Sequence, residues 1–489
     1  MSQAIRTRQE SVPPYTGTAS GEAEPRLAGL AERGAGTAAA PVPPPLLLDL
    51  YELTMAQSYF DQGMMAPATF SLFARHLPAR WGFLLAAGLD DALAYLERLR
   101  FREADLAYLE STRLFTSAFL DWLRGFRFTG TVRALPEGTV CFPQEPLLEV
   151  TAPLIEAQLV ETALLNQLHF QTLIASKAAR CVLAAQGRRL VDFGLRRTHG
   201  IDAGLKAARS AYLAGFVATS NVLAGQLYGI PIAGTMAHSY VQTFPDEETA
   251  FRAYARSFPE GSVFLIDTYE PLAGARHAAR VGQELAAAGH TLRGVRLDSG
   301  DLIELSFAVR EILDAAGLRT TTIFASGNVD EHLIAAAVAR GAPIDAFGVG
   351  TRMGVSADAP YLDMAYKLVA YEGRPVLKLS AAKATWPGAK QVWRRRAADA
   401  LADTVALADE APPADAEPLL VVAMEEGQRR LHEPLATARA RAGQELAALP
   451  AALRRIDAPQ PPRVAFSAAL VALRDRVAAQ HAATAAGQP

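Results

Sequence analysis

The sequence predicts an α/β protein whose centre is a parallel β-sheet, and the main evidence is the regular pattern between residues 189 and 351. Six short runs there are rich in β-branched or aromatic residues, and helical segments separate them. The runs are RRLVDFGL, YGIPIAGT, VFLIDTY, GVRLDSGD, TTIFASGN and IDAFGVGT, and the helical segments include 202–227, 272–289, 301–316 and 330–340. Strands that alternate with helices form βαβ units and parallel sheets. Six successive units favour an α/β barrel, and a doubly wound open sheet is the alternative with the same local pattern.

The regions that flank these units mix helices with strands and turns. From residue 46 the pattern predicts a helix in LLLDLYELTMAQSYFDQG, a strand in ATFSLFARHL, a helix in AAGLDDALAYLERL and turn-broken strands in TVRALPEGTVCFPQEPLLEVTAP. After residue 375 follow RPVLKLS, a hairpin with Trp and Lys, an acidic Pro/Ala linker near 408–417, a strand PLLVVAME and helices near 435–447 and 466–480. Residues 1–45 are rich in Pro, Ala and Gly, so we expect a disordered tail.

Composition and charge argue against several classes of protein. The 489 residues contain 48 basic and 51 acidic side chains, and a net charge of −3 gives no general attraction to nucleic acid or an anionic membrane. The two cysteines, Cys141 and Cys181, stand beside apolar residues, which is typical of a reducing compartment. The sequence has no signal-peptide pattern and no apolar run of about 18 residues. We therefore expect a cytoplasmic protein without nucleic-acid or membrane partners.

Polar residues and glycines follow each of the six predicted strands. They are Asp192 to Arg197, Thr235 to Ser239, Asp267 to Glu270, Arg296 to Asp301, Ser326 to Asn328 and Gly348 to Thr351. The carboxyl ends of parallel strands meet on one face, so these groups are expected to form one site. Glycine turns and arginines suit a phosphate, and carboxylates together with phosphates suit Mg²⁺. The motif GxxxxGK[ST] is absent, and no His or Cys cluster has the spacing of a zinc site.

His238 is the most isolated candidate in this group. The stretch GIPIAGTMAHSYVQTF, residues 229–244, places it just after an apolar run that resembles a buried strand. On this stretch alone, a structural core histidine and a functional histidine fit equally well.

Five longer stretches resemble nicotinate phosphoribosyltransferase. They are LLDLYELTMAQSYF, DFGLRRTHGIDAGLKAARSAYLAGFVATSNVLAGQLYGIPIAGTMAHSY, GVRLDSGDL, SGNVDE and GVGT, with minor departures at THGID and GLKAARSAY. The resemblance runs in order from about residue 46 to beyond residue 480. It implies a type II phosphoribosyltransferase fold, in which an α/β sandwich from both ends of the chain packs on an irregular α/β barrel. The implied parts are 46–150 for the first part of the sandwich, 151–375 for the barrel and 376–489 for the segment that completes the sandwich.

The resemblance also implies a reaction. Nicotinate and phosphoribosyl pyrophosphate give nicotinate mononucleotide and pyrophosphate in NAD salvage, coupled to ATP hydrolysis. His238 matches the histidine that this family phosphorylates, and neutral imidazole is a competent nucleophile near neutral pH. Mg²⁺ is the expected cofactor, and a homodimer with shared active sites is the expected assembly.

The same resemblance assigns roles to individual residues. Tyr51, Phe193, Thr235 and Arg296 are expected to contact nicotinate, with Asp267 orienting His238, and Asp298 and Asp301 serving the ribose hydroxyls and Mg²⁺. The groups expected to bind phosphoribosyl pyrophosphate are Arg196, Ser326, Gly327, Asn328, Gly348, Gly350 and Thr351. Structural alternatives are a domain-interface role for Tyr51, an ion pair of Arg296 with Asp298, and helix N-caps for the two aspartates.

Three other functions compete with this interpretation. A nicotinamide-specific relative would place an aspartate in the stretch ATSNVLAG, where Ser220 and Asn221 stand instead and no anion repels a carboxylate. A quinolinate enzyme would need more basic residues and no phosphohistidine. A non-catalytic phosphosugar-binding protein on the same fold would not need His238, Asp267 and both aspartates of DSGD.

The segment 378–396, KLSAAKATWPGAKQVWRRR, is predicted to be a mobile basic flap over the phosphates. It contains Lys378, Lys383 and Lys390, three of only six lysines, and no acidic residue. WPG would form the turn between two short strands, and a flexible lysine suits a phosphate that enters and leaves. The alternative is a solvated hairpin.

Overall fold

A computed structural model describes residues 42–380, 385–397 and 400–486. Its strands, numbered in chain order, are β1 (Pro67–Ala74), β2 (Leu84–Leu85), β3 (Thr131–Ala134), β4 (Val140–Cys141), β5 (Pro146–Pro153), β6 (Arg189–Asp192), β7 (Ala218–Thr219), β8 (Val263–Leu265), β9 (Gly294–Leu297), β10 (Thr322–Ala325), β11 (Ala346–Val349), β12 (Met364–Tyr371), β13 (Arg374–Pro375), β14 (Lys390–Ala397), β15 (Ala400–Leu407), β16 (Glu417–Pro418), β17 (Val421–Glu425), β18 (Gln428–Arg429) and β19 (Ala465–Phe466).

The described residues also form seventeen α-helices, numbered in chain order. They are α1 (Leu50–Asp61), α2 (Leu89–Arg98), α3 (Glu103–Ser111), α4 (Ser117–Arg124), α5 (Leu154–Gln158), α6 (Glu161–Ala185), α7 (Ile201–Ala214), α8 (Val222–Tyr228), α9 (His238–Gln242), α10 (Glu247–Ser257), α11 (Pro271–Ala287), α12 (Leu302–Ala315), α13 (Glu331–Ala339), α14 (Thr351–Gly354), α15 (Leu435–Ala447), α16 (Ala451–Arg454) and α17 (Ala468–Ala486), with a 3₁₀ turn at Leu195–Arg197. Within the described residues, no helix is long and apolar enough to cross a membrane.

The predicted α/β fold is confirmed, and its parallel sheet is a half-barrel. Six strands lie in the order β7-β6-β11-β10-β9-β8, and each neighbouring pair is parallel. The strands β7 and β8 are its two edges, so the sheet curves without closing. All six carboxyl ends therefore face one side of the sheet, which is where ligands bind in such folds.

Five of the six predicted strands form, and the run YGIPIAGT does not. Only Ile232 of that run makes a bridge, to Thr219. The strand that replaces it, β7, lies inside the segment 202–227 that was predicted as one helix. Gly215, at φ +132°, ends α7 in a conformation that favours glycine, and the Asn221 side chain caps α8 by accepting from the Ala224 amide. These two local signals leave room for a short strand between the helices.

Both ends of the described chain contribute to a second, antiparallel sheet. Its order is β13-β12-β1-β5-β3-β17-β18, so strands near residues 70, 150 and 425 share one layer. The range 151–375, predicted as barrel, is therefore too long, because β12 and β13 pair in this sheet. Burial explains the difference: Tyr366 of β12 is fully enclosed and stacks on Phe70 of β1 with ring centroids 4.8 Å apart.

The long helix α6 connects the two cores. Leu164 and Leu168, in its first half, pack in the core beneath the antiparallel sheet. Ile174 and Ala178, in its second half, pack in the core of the half-barrel. A largely buried helix that packs in both cores fixes the position of one core relative to the other.

The prediction of a basic flap is wrong for Lys390 and the residues after it. They form β14, which pairs with β15 along its whole length in a small sheet of order β16-β14-β15-β19. Lys390 is only 3% exposed, and its Nζ donates to the carbonyl oxygens of Gly388 at 2.6 Å and Trp386 at 3.2 Å. An ammonium group held in this way cannot reach a phosphate. Lys378 is exposed, and Lys383 lies outside the described residues.

Candidate functional site

Arg296 is the centre of a polar cluster at the carboxyl ends of the parallel strands. Its Nε donates to Ser326 Oγ at 2.7 Å, and its Nη2 donates to Asp298 Oδ1 at 2.7 Å. Its Nη1 donates to Thr235 Oγ1 at 3.1 Å and makes a longer 3.5 Å contact with the Met236 carbonyl oxygen. One guanidinium therefore joins the ends of β9 and β10 to the loop before α9. We call this group the strand-end cluster.

Phe193 provides an aromatic face beside Arg296. It follows β6 and lies 5.3 Å from the Arg296 guanidinium carbon, with its ring centroid 5.6 Å from that of Phe324. The glycines of GVGT have a packing role here. A Cβ on Gly348 would lie 2.7 Å from the Phe193 ring, and one on Gly350 would lie 3.0 Å from the Phe193 carbonyl oxygen. These glycines, predicted to admit a phosphate, also make room for Phe193.

The turn Ser326–Gly327–Asn328 packs directly on the DSGD turn. Gly327 has φ +93°, and a Cβ there would lie 1.9 Å from the Asp298 carbonyl oxygen, so no other residue fits. Asn328 follows at φ +53°, a conformation that asparagine tolerates. Ser326 donates to Asp298 Oδ1 at 2.5 Å. Successive backbone N–H groups in such a turn can bind an anion.

The second predicted phosphate turn lies next to the first. Thr351 begins the short helix α14 directly after Gly350. Arg197 approaches Thr351 Oγ1 through Nη1 at 3.5 Å, and Arg196 is exposed on the same 3₁₀ turn. The predicted phosphate-binding groups therefore lie at or after the carboxyl ends of β6, β10 and β11, at the same edge of the sheet as the strand-end cluster.

His238 begins α9 at the rim of the cluster. Its Nδ1 shares a hydrogen bond of 3.2 Å with Thr268 Oγ1, and its Nε2 lies 3.8 Å from Asp298 Oδ2. The side chain is 40% exposed, so a reactant can reach it. Burial opposes the ionisation of Asp298, but the Ser326 hydroxyl, Arg296 and His238 outweigh burial and lower the pKa of Asp298. The imidazole therefore faces a carboxylate that stays ionised.

The prediction that Asp267 orients His238 is not what the geometry shows. Asp267 Oδ2 accepts from the Asp298 amide at 2.9 Å and from Ser299 Oγ at 2.6 Å, so this buried carboxylate holds the DSGD turn instead. Thr268 and Asp298 are the two groups nearest the ring nitrogens. Sequence reasoning placed Thr268 in the strand-end group Asp267 to Glu270 but gave the contact with His238 to Asp267.

Asp301 serves as the N-cap of α12. Its Oδ1 accepts from the amides of Ile303 at 3.1 Å and Glu304 at 3.2 Å, which are the hydrogen bonds expected of a helix N-cap. No set of three or more His, Cys, Asp or Glu side chains in the described part of the chain converges in a way that could hold a metal ion.

Tyr51 lies on α1, in the part of the molecule built around the antiparallel sheet. It is 44% exposed, and burial together with the carboxylates of Glu161 and Glu52 raises its pKa above the usual value. No ring contact or hydrogen bond among the described residues joins it to the strand-end cluster. The structure of a single chain therefore does not bring Tyr51 to the strand-end cluster.

The stretch ATSNVLAG, which contains Ser220 and Asn221, is held by buried hydrogen bonds. Asn221 is 2% exposed and caps α8, whereas Ser220 is partly exposed at the carboxyl end of β7. Asp192 accepts from Thr219 Oγ1 at 2.7 Å and from the Gly194 amide at 2.8 Å, and burial raises its pKa. This carboxylate holds the loops that carry Phe193 and Ser220. Sequence reasoning placed Asp192 in its strand-end group but assigned it no role of its own.

The arrangement suits a flat aromatic acid beside a phosphorylated sugar. Phe193 offers a ring face, Arg296 and Thr235 offer donors for a carboxylate, and two glycine turns offer backbone donors for phosphates. His238 adds an accessible nucleophile at the rim.

Three family models match the chain in order. They describe the N-terminal domain of nicotinate phosphoribosyltransferase at residues 46–169, the nicotinate phosphoribosyltransferase family at 188–392 and the C-terminal domain at 412–474. The chain is 52% identical to nicotinate phosphoribosyltransferase pncB2 of Mycobacterium tuberculosis, over 84% of this chain and 89% of that protein. It is 44% identical to nicotinate phosphoribosyltransferase of Bacillus subtilis, over 71% and 72%. The crystal structure of human nicotinic acid phosphoribosyltransferase superposes with a TM-score of 0.79 at 34% identity and covers 88% of this chain and 100% of that chain.

Proposed function

The chain belongs to the nicotinate phosphoribosyltransferase family, and from this we propose that it transfers the phosphoribosyl group of phosphoribosyl pyrophosphate to nicotinate, with ATP hydrolysis coupled through phosphorylated His238. Nicotinate phosphoribosyltransferase activity in NAD biosynthesis follows from the family. The strand-end cluster supports the proposed substrates and the phosphorylation of His238. It combines donors for a carboxylate, an aromatic face, glycine turns suited to phosphate and an accessible imidazole.

Nicotinate binds with its ring against Phe193 and its carboxylate toward Arg296 and Thr235. Ser326, Asp298 and Thr235 accept from three of the five N–H groups of Arg296, and the Met236 carbonyl oxygen makes a long 3.5 Å contact with a fourth. The remaining Nη2 N–H and the weakly held Nη1 N–H can donate to the substrate carboxylate. Nicotinamide can offer this guanidinium only one neutral carbonyl oxygen, and its NH₂ group would replace the second acceptor and the negative charge of the carboxylate. Ser220 carries no charge that would compensate for this.

Glycosyl transfer needs little proton chemistry. The ring nitrogen of nicotinate attacks C1 of the ribose as the bond from C1 to pyrophosphate breaks. The ionised Asp298 carboxylate lies where it can stabilise the positive charge that develops on the ribose. The two glycine turns hold the 5′-phosphate and fix the reacting atoms.

The residues present fit Mg²⁺ that is held mainly by the substrate. Asp298 Oδ2 and Asp301 Oδ2 accept no hydrogen bond from a described residue, and Mg²⁺ prefers such hard oxygen ligands together with phosphate oxygens and water. When bound, Mg²⁺ neutralises the charge of the diphosphate leaving group.

ATP acts through His238. A ring nitrogen attacks the γ-phosphorus, a P–N bond forms, and the P–O bond to ADP breaks. Water later hydrolyses the P–N bond and releases inorganic phosphate. Thr268 and Asp298 hold the ring direction for this step.

A homodimer would complete the site with Tyr51 from the partner chain. The edge of the half-barrel at β7 is followed by apolar side chains that a single chain leaves exposed: Val222 at 67%, Leu223 at 45% and Ile232 at 59%. A second copy that covers this edge would remove apolar surface from water, and it could place its own Tyr51 over the bound pyridine ring.

The test is release of pyrophosphate from phosphoribosyl pyrophosphate with ATP present. The proposal expects release that depends on nicotinate and is far weaker with nicotinamide or quinolinate. The variant Ser220→Asp should raise the KM for nicotinate, because it adds an anion near the substrate carboxylate. The exposed Ser111→Asp is the matched control. Release that is as fast with nicotinamide as with nicotinate would contradict the assignment.

A further inference from the structure

A second concave site lies at the opposite end of the half-barrel. It has a volume of about 680 Å³, within the usual range for small-molecule pockets of roughly 300–1,000 Å³. Its walls are the last turns of α6 and α7 together with α15 and α16. Because α6 leads into the first residue of β6, this pocket lies at the amino ends of the strands, away from the strand-end cluster.

Two arginines at this pocket have no partner. Arg454 and Arg455 are exposed, and neither side chain has a hydrogen bond or ion pair to another described residue. No acidic side chain is among the described residues that line the pocket. The third arginine, Arg439, is different, because it donates to the carbonyl oxygens of Phe216 at 2.6 Å and Gly215 at 3.1 Å. Hydrogen bonds to the protein therefore hold Arg439 in place, whereas the side chains of Arg454 and Arg455 are available to bind an anion.

Gly443 keeps the pocket open. It lies inside α15, where glycine costs about 1 kcal/mol relative to alanine. A Cβ at Gly443 would meet no atom within 4 Å, and the backbone is not in the left-handed region. Neither packing nor conformation therefore requires glycine in this alanine-rich helix. What the glycine does provide is space on the pocket wall.

The remaining wall is apolar, and a neighbouring cavity adds positive charge. Val182, Leu183 and Leu446 line the same pocket as the arginines. The adjoining cavity shares Gln186 and Arg439 with it and is also lined by Arg188, whose Nη1 is buried and has no partner among the described residues. A pocket that combines apolar side chains with a pair of guanidinium groups is complementary to a molecule with a flat ring at one end and a phosphate at the other.

We propose that this pocket binds a nucleoside phosphate, with the phosphate between Arg454 and Arg455 and the base against Val182, Leu183 and Leu446. The site is independent of the phosphoribosyl transfer proposed above, and none of these residues takes part in it.

The test uses AMP as the probe and the full chain, by calorimetric titration in the presence of saturating phosphoribosyl pyrophosphate, which covers the strand-end cluster. The double variant Arg454→Gln/Arg455→Gln should bind AMP at least about tenfold more weakly, since it loses the charge-assisted hydrogen bonds. Gly443→Leu, which fills the wall, should weaken AMP to a similar extent. The double variant Arg463→Gln/Arg476→Gln removes the same charge from exposed positions outside the pocket and should bind AMP like the parent.

Two further probes identify the chemistry. Adenosine should bind far more weakly than AMP, because it lacks the phosphate, and inorganic phosphate should bind more weakly because it lacks the base. An unchanged kcat for nicotinate in each variant shows that the protein is folded. Absence of AMP binding at millimolar concentration, or equal AMP affinity in the parent and the Arg454/Arg455 variant, would overturn the proposal.

Discussion

Two regions of this molecule are built around an arginine–aspartate ion pair, and they differ in what the arginine has left to donate. In the strand-end cluster, Arg296 Nη2 lies 2.7 Å from Asp298, with side chains 13% and 30% exposed. In the small C-terminal sheet, Arg394 donates to Asp403 through Nε at 2.8 Å and Nη2 at 2.5 Å, and both side chains are fully buried. Arg394 also donates to Glu445 at 3.1 Å and to the Val140 carbonyl oxygen at 2.9 Å.

The difference separates a site from a structural element. Arg394 has partners on every side, whereas Arg296 keeps terminal N–H groups beside an exposed imidazole and an aromatic face. Neither the residue types nor their spacing in the sequence reveals this. An arginine in an ion pair can bind a ligand where some of its N–H groups have no acceptor in the protein. It has a structural role where all of its N–H groups already donate to the protein.

Breaking the buried pair should produce the largest effect on stability. Arg394→Met leaves the buried Asp403 without its cation and should lower the free energy of unfolding by about 3–5 kcal/mol. The KM for nicotinate of the folded fraction should stay unchanged. Urea unfolding measures the loss. The control is Arg340→Met, whose ion pair with Glu304 is exposed and is expected to contribute about 1 kcal/mol or less. A variant of normal stability with a raised KM would place Arg394 in the site.

The complementary change in the strand-end cluster should act on binding. Arg296→Ala removes the donors for the substrate carboxylate and should raise the KM for nicotinate by about a hundredfold, since an unpaired carboxylate in a desolvated site costs several kcal/mol. The KM for phosphoribosyl pyrophosphate should change far less. Arg293→Ala, at the other end of β9, is the control. An unchanged KM for nicotinate would assign the carboxylate to another partner.

Lys177 combines features of both arginines, because it is a buried cation like Arg394 and its partners follow turns of the candidate site. Lys177 is buried and lies 2.7 Å from Glu331, just after the Ser326–Asn328 turn, and 2.5 Å from Asp358, just after α14. It therefore joins α6 to the segments that follow both predicted phosphate turns. Lys177→Met should raise the KM for phosphoribosyl pyrophosphate by about tenfold and leave the KM for nicotinate nearly unchanged. Lys367→Met, a more exposed lysine paired with Glu161, is the control. Equal changes in both KM values would reduce Lys177 to a structural role.

The smallest expected effect concerns a buried acid without an arginine. Burial raises the pKa of Glu52 from 4.5 to about 7. The folded state therefore binds this proton more tightly than the unfolded state, so stability should fall as pH rises from 4.5 through 7. Glu52→Gln should flatten that slope in urea unfolding measured across this range, and the exposed Glu110→Gln should not. Identical slopes in parent and Glu52→Gln would contradict the prediction.

The sequence predicted the elements whose signals are local. Five of six parallel strands were identified because each combines an apolar run with a polar or glycine end. The strand β7 was missed, because two residues leave no period to detect and Gly215 and Asn221 act only as boundaries. The grouping of Arg296, Ser326, Thr235 and Phe193 was also predictable, since parallel strands bring their carboxyl ends together.

The rest depended on contacts that sequence spacing does not encode. Lys390 is buried because Glu149, far away in the chain, and two carbonyl oxygens accept its charge. Three of the six lysines, Lys177, Lys206 and Lys390, are buried in this way. The few lysines of this chain therefore occur more often in buried ion pairs than in the predicted flap over the phosphates. The positions of Thr268 and Asp267 were likewise decided by tertiary packing around the DSGD turn.

The most direct test of the proposed phosphorylation of His238 is the transfer of label from γ-labelled ATP to this residue. The protein should acquire acid-labile, base-stable phosphate, and His238→Ala should acquire none while His432→Ala, at an exposed site far along the chain, labels like the parent. Loss of label should coincide with loss of ATP stimulation of nicotinate mononucleotide formation, with some ATP-independent transfer retained. Equal labelling of His238→Ala and the parent would contradict the assignment of the strand-end histidine as the phosphorylated group.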